Sequence, residues 1–156
     1  MRLVVFGYGN PSRGDDALGP LLLSRLEASA FADVSTVEDF QLQIEHAIDL
    51  DGADLALFLD AGTGTPAPFG FTEVTPGGDV SHTSHALSPQ AVLDVFVKIR
   101  RQPCPPAFVL CVRGDSFGLG EPLSPNGALH LEAAWDFLRD LAAAPDPVRW
   151  RGMIAG

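Results

Sequence analysis

Along this chain, unbroken apolar runs of four to six residues alternate with stretches whose apolar positions recur at helical spacing. Residues 2–6, RLVVF, are β-branched and continuous, the pattern of a strand covered on both faces. In residues 17–30, ALGPLLLSRLEASA, Leu18, Leu21, Leu22 and Leu26 share one helical face, and Pro20 fits only in a first turn. Residues 33–39 read as a short strand and 43–50, QIEHAIDL, as a helix of about two turns. ADLALFLD (53–60) is a second buried strand that ends in a carboxylate and a glycine-rich turn, and FGFTEV (69–74) alternates like an edge strand.

A long polar loop, TPGGDVSHTSHALSP (75–89), leads to a helix with Ser88 as N-cap and Pro89 at its first position. Ala91, Val92, Val95, Phe96 and Ile99 form the predicted apolar stripe of that helix. AFVLCV (107–112) is the last buried strand, and 124–144 a final amphipathic helix started by Ser124 and Pro125. The remainder, PDPVRWRGMIAG, has no periodicity and reads as a loosely ordered tail over 145–156, beyond a single domain over 1–144. Repeated strand-then-helix units predict a three-layer α/β/α fold: a mostly parallel, mixed sheet of about five strands with helices on both faces.

Composition narrows the partners. With 20 acidic and 10 basic side chains in 156 residues, the net charge of −10 repels nucleic-acid phosphates and anionic membrane surfaces. No apolar run approaches the roughly 20 residues of a membrane span, and the apolar start is too short for a secretory signal, so a cytoplasmic location is expected. Cys104 and Cys111 lack a C-x-x-C pattern and read as buried or spare thiols.

In a sheet of this type, sites form beyond the carboxyl ends of the strands. Three loops qualify there, carrying Asp15 and Asp16, Asp60, and the pair His82 and His85. Carboxylates with an imidazole suit a first-row divalent metal such as Zn²⁺, Ni²⁺ or Fe²⁺ better than Ca²⁺. The same residues also have plainer uses: one of Asp15 and Asp16 as a helix cap, Asp60 as organiser of its own turn, and a loop histidine left in solvent. GYGNPS begins like a dinucleotide fingerprint, but Ser12 stands where the third glycine belongs and acidic side chains follow where pyrophosphate would lie. FLDAGTG echoes a pepsin-like turn, without the second such turn that those all-β enzymes need.

Taken together, VVFGYGNPSRGDDALGP, FLDAGTG, SHALSPQAVLDV and VLCVRGDSFGLGEPLSP resemble the hydrogenase maturation proteases over about residues 2–140. DFQLQIEHA (39–47) resembles the branch that serves NAD-coupled, bidirectional [NiFe] hydrogenases. The resemblance implies an endopeptidase that removes a C-terminal extension from a nickel-loaded hydrogenase large-subunit precursor; the same residues would also serve a non-catalytic nickel-sensing or chaperone module, or a metallohydrolase with its own permanent metal. The nickel belongs to the substrate, and no organic cofactor is implied. The family's ligand positions fall on Asp16, Asp60 and His85; Asp15 is then expected to cap or stay solvated, and His82 to be dispensable. Gly7 and Gly9 would let the backbone turn and a peptide approach, with Asn10 bracing the turn. The chain departs from the family where Asp16 replaces a frequent Glu and Ala17 a frequent glycine.

Overall fold

The computed structural model describes residues 1–77 and 86–154. Five strands form one sheet: β1 (Leu3–Tyr8), β2 (Val34–Asp39), β3 (Leu55–Gly62), β4 (Phe69–Val74) and β5 (Ala107–Arg113). Their order is β2-β1-β3-β5-β4, with every pair parallel except the antiparallel edge strand β4 against β5. Helices α1 (Leu18–Ser29), α2 (Pro89–Arg100), α3 (Pro125–Ala143) and α4 (Pro147–Arg151) complete the fold. It is the predicted α/β architecture of a mostly parallel mixed sheet.

The unbroken apolar strands are explained by two cores, one on each face. Leu3 and Val5 of β1 join Leu18, Leu22 and Leu26 of α1 and Leu138 of α3, whereas Val4 and Phe6 join Val92, Leu93 and Phe96 of α2. Alternate residues of one strand thus serve opposite layers, and each must be apolar. α1 crosses the sheet closely: a Cβ at Gly7 would stand 2.7 Å from Leu23 Cβ, and one at Gly19 would stand 2.7 Å from the Leu59 carbonyl oxygen. Gly7 therefore admits the helix rather than turning the chain. The start signals of α2 and α3 hold, since Ser88 Oγ accepts from the Ala91 amide at 3.1 Å and Ser124 Oγ from the Gly127 amide at 2.9 Å.

Three local expectations change. Residues Ile44–Leu50 form a 3₁₀ helix, not two α turns. On α2 the buried set is Ala91, Val92, Leu93 and Phe96, while Ile99, in the last turn of the helix, stays exposed. The tail expected to be loose folds back as α4: Asp146 caps it through the Val148 amide, and Trp150 is fully buried with its ring 5.3 Å from that of Phe108. The Trp150 indole N–H donates to the Leu141 carbonyl at 3.2 Å, and Arg151 grips Glu73 through two bonds of 2.9 Å. Five residues are too few to show a period, so only burial of the indole reveals the element.

Candidate functional site

From β1 the chain proceeds through a crossover to β2 on one side, while β3 pairs with β1 on the other. The gap beyond the carboxyl ends of β1 and β3 is therefore the point where the winding reverses, the usual place for a crevice in such sheets. Both Asp16 and Asp60 come from loops or strand ends at this point.

Gly9 leaves β1 with φ of +146°, a conformation that side-chain-bearing residues rarely adopt. Asn10 then braces the loop, its Oδ1 accepting from the Ser12 amide at 2.9 Å and its carbonyl from the Arg13 amide at 3.0 Å. Asp16, in the 3₁₀ turn Gly14–Ala17 that opens α1, closes the loop by accepting the Asn10 amide at 2.6 Å. Its side chain remains partly exposed.

Asp15, next in line, has a different setting. Its side chain is fully buried between Gly114 and Gly127 and neither caps α1 nor meets solvent, contrary to the sequence expectation. Oδ2 accepts from the Asp115 amide at 2.8 Å, the Ser116 amide at 3.2 Å and Ser124 Oγ at 2.6 Å; Oδ1 accepts from the Ser124 amide at 2.8 Å. Burial pushes this carboxyl up, but the Ser124 hydroxyl and the three amides outweigh it and hold it below the ordinary carboxylate range. Asp15 thus ties the first loop to the segment between β5 and α3.

Asp60 is served poorly. It sits near the end of β3, and its Oδ1 accepts from the following amide, Ala61, at 2.7 Å. Burial raises its carboxyl above the ordinary range; the Ala61 amide and the neighbouring Tyr8 hydroxyl oppose this, the charge of Asp16 adds to it, and the rise prevails. The 3₁₀ turn that carries Asp16 packs against β3, so both carboxylates stand at the same end of the sheet.

Beside Asp60 lie two residues that motif reading passes over. Cys111 faces Asp60 across the β3–β5 register, and its Sγ is 2.9 Å from Thr65 Oγ1. Burial, then the Asp60 charge, outweigh the Thr65 contact and lift the thiol above its usual range, so it is a poor nucleophile at neutral pH. Tyr8 ends β1, one residue past the Gly7–Leu59 pair. Its hydroxyl is buried without a hydrogen bond of normal geometry, and burial together with the Asp60 charge pushes it well above the usual phenol range. Strand parity was the available signal: Phe6 and Phe58 stack at 4.8 Å, and the next residues on that face are Tyr8 and Asp60.

His85 and His82 lie outside the described residues. Leu87, at the start of the described stretch that follows, donates its amide to the Leu42 carbonyl at 2.9 Å, just past the carboxyl end of β2. Among the described residues, no three His, Cys, Asp or Glu side chains cluster closely enough to hold a metal ion. The described part of the site is thus a pair of carboxylates, able to attract a cation and to accept protons but not to chelate an ion alone. Of the described helices, none is long and apolar enough to cross a membrane.

No protein-family model matches the chain, and no curated protein matches it. Solved structures do resemble it. The hydrogenase maturating endopeptidase HybD from E. coli superposes with a TM-score of 0.72 at 19% identity, covering 93% of this chain and 94% of that one. The [NiFe] hydrogenase maturation protease HycI from Thermococcus kodakarensis KOD1 gives 0.70 at 22% identity, covering 92% and 93%. A hydrogenase 2 maturation peptidase from Thaumarchaeota archaeon SCGC_AB-539-E09 gives 0.62 at 19% identity, covering 90% and 97%. At these identities the likeness shows a shared fold over nearly the whole length of each chain.

Proposed function

We infer that this protein is an endopeptidase of [NiFe] hydrogenase maturation, which removes the C-terminal extension of a nickel-loaded large-subunit precursor. The observation that supports the reading is that Asp16 and Asp60 both stand at the winding reversal between β1 and β3, each on a short motif of the kind such proteases carry. The fold supports it, since the proteins that share it are named as maturation proteases and endopeptidases. The DFQLQIEHA segment supports the NAD-coupled branch as the source of the substrate.

In this reading the nickel is cargo of the precursor. Asp16, Asp60 and His85 are the residues that contact it, two carboxylates and an imidazole being a donor set suited to nickel. An incomplete set on the protease fits a metal that arrives already held by another protein. Hydrolysis adds water across the scissile peptide bond: its oxygen bonds to the carbonyl carbon, the C–N bond breaks, and the leaving nitrogen gains a proton. One carboxylate of the pair accepts the proton that the attacking water loses. No organic cofactor enters.

The test is to incubate the protein with precursor prepared with and without nickel and to follow shortening by mass spectrometry. Cleavage of the nickel-loaded form alone is expected. Equal cleavage of both forms would remove nickel from the reading, and cleavage of neither would make the protein a nickel-sensing or chaperone module. His85→Ala is expected to stop processing and His82→Ala to leave it intact.

A further inference from the structure

We propose that Tyr8 is a positioning residue that fixes the Asp60 carboxyl group at the head of the crevice between β1 and β3; this rests on the peptidase reading of that site. Four observations converge. Gly7 pairs with Leu59 in the parallel register, so Tyr8 and Asp60 are the next residues on adjacent strands. Both follow the Phe6–Phe58 stack by two positions, and Tyr8 packs with Phe6 on the α2 side of the sheet. The aromatic rings beneath, at an interplanar angle of 9°, form a rigid floor. Finally, the Tyr8 hydroxyl is buried and makes no hydrogen bond of normal geometry among the described residues.

A phenylalanine would fill the same floor without carrying a polar atom into it. Buried hydroxyls find partners in nearly every fold, so one left alone beside a carboxylate calls for a reason. Asp60 already spends one oxygen on the Ala61 amide. A small rotation of the carboxyl lets the other oxygen accept from Tyr8, a shift that a cation or peptide arriving in the crevice would produce. The bond then fixes which way the carboxylate faces at the moment of reaction. In the resting protein the two groups already influence one another without a hydrogen bond of normal geometry, and the arriving ligand completes the bond, so Tyr8 contributes to the reacting geometry more than to the fold.

The experiment is Tyr8→Phe beside the wild type, in steady-state cleavage of the nickel-loaded precursor and in thermal unfolding. The expected result is a kcat lower by roughly 10-fold to 100-fold, the range for a slightly misplaced group, with KM unchanged and Tm equal or higher. Wild-type kcat in the variant overturns the proposal, as does a lowered Tm with unchanged kcat per folded molecule, which marks Tyr8 as structural. A second readout is independent of cleavage: the carboxyl ¹³C resonance of Asp60 in labelled protein is expected to move in Tyr8→Phe, and an unmoved resonance also overturns the proposal. If the wild type leaves the precursor whole, the peptidase reading fails and this role in catalysis with it.

Discussion

Asp15, fully buried, and Asp60, partly buried, are carboxylates near the same end of the sheet, yet their surroundings are opposite. Around Asp15, three amides and a hydroxyl converge on two oxygens, and Gly114 and Gly127 leave room for them. Around Asp60 there is one amide from its own neighbour, a second carboxylate, a thiol and a phenol that makes no hydrogen bond of normal geometry. A buried charge that is fully paired holds a fold together, because removing any partner strands the rest. A buried charge that is poorly paired weakens the fold and is kept where something else needs it. Asp15 belongs to the first kind and Asp60 to the second, with the partly exposed Asp16 beside it.

The comparison breaks most sharply on activity. Asp60→Asn and Asp16→Asn are each expected to slow precursor processing by about 10²–10⁴-fold, the range for losing a proton-transfer group, with urea midpoints no lower than the wild type's. A large loss of stability in either variant would move that residue into Asp15's class.

Asp15→Asn is expected to do the reverse. An amide NH₂ would face donors that now all point at an acceptor, and losing hydrogen bonds to a charged group costs at least about 3 kcal/mol here. Chemical denaturation measures it, and activity is expected to fall only with the folded fraction. A stable but inactive Asp15→Asn would place Asp15 in the site and undo the comparison.

A smaller effect probes the same cluster without touching the charge. A Cβ at Gly127 would stand 2.8 Å from the Asp15 carboxyl carbon, so Gly127→Ala forces Asp15 out of its ring of donors. About 1–3 kcal/mol of destabilisation is expected, the usual cost of overpacking. A neutral Gly127→Ala would show that the ring of donors adapts.

The smallest effect is in pH. Asp15 is depressed in the folded state, so its stabilisation is complete above the ordinary carboxylate range and is lost as pH falls through its lower folded value. Asp60 is raised, so its contribution is complete below the ordinary carboxylate value and is lost as pH rises through the higher folded one. The stability of Asp60→Asn relative to the wild type is therefore expected to increase with pH across that window and then level off. A flat difference would mean that Asp60 titrates as it does in an unfolded chain.

Most of the layered fold was legible in the sequence, because strand and helix patterns repeat within windows of a few residues. Continuous runs at 2–6 and 53–60 announced strands covered on both faces, and Ser88-Pro89 and Ser124-Pro125 announced helix starts. The motifs also named Asp16 and Asp60, since a carboxylate at a strand's end or beside a glycine turn is a local feature. Three things were decided only in three dimensions. The helix α4 exists because Trp150 finds a pocket against Phe71 and Phe108, which no five-residue window can display. Tyr8 acquires its neighbour Asp60 only when β1 and β3 pair in one register. The roles of Asp15 and Asp16, adjacent and chemically identical, were separated by Asp115, Ser116 and Ser124, about a hundred residues further along the chain. Local pattern fixes which residues stand where a strand ends; desolvation and hydrogen bonding depend on which distant loop arrives there, and only the folded chain brings that loop in.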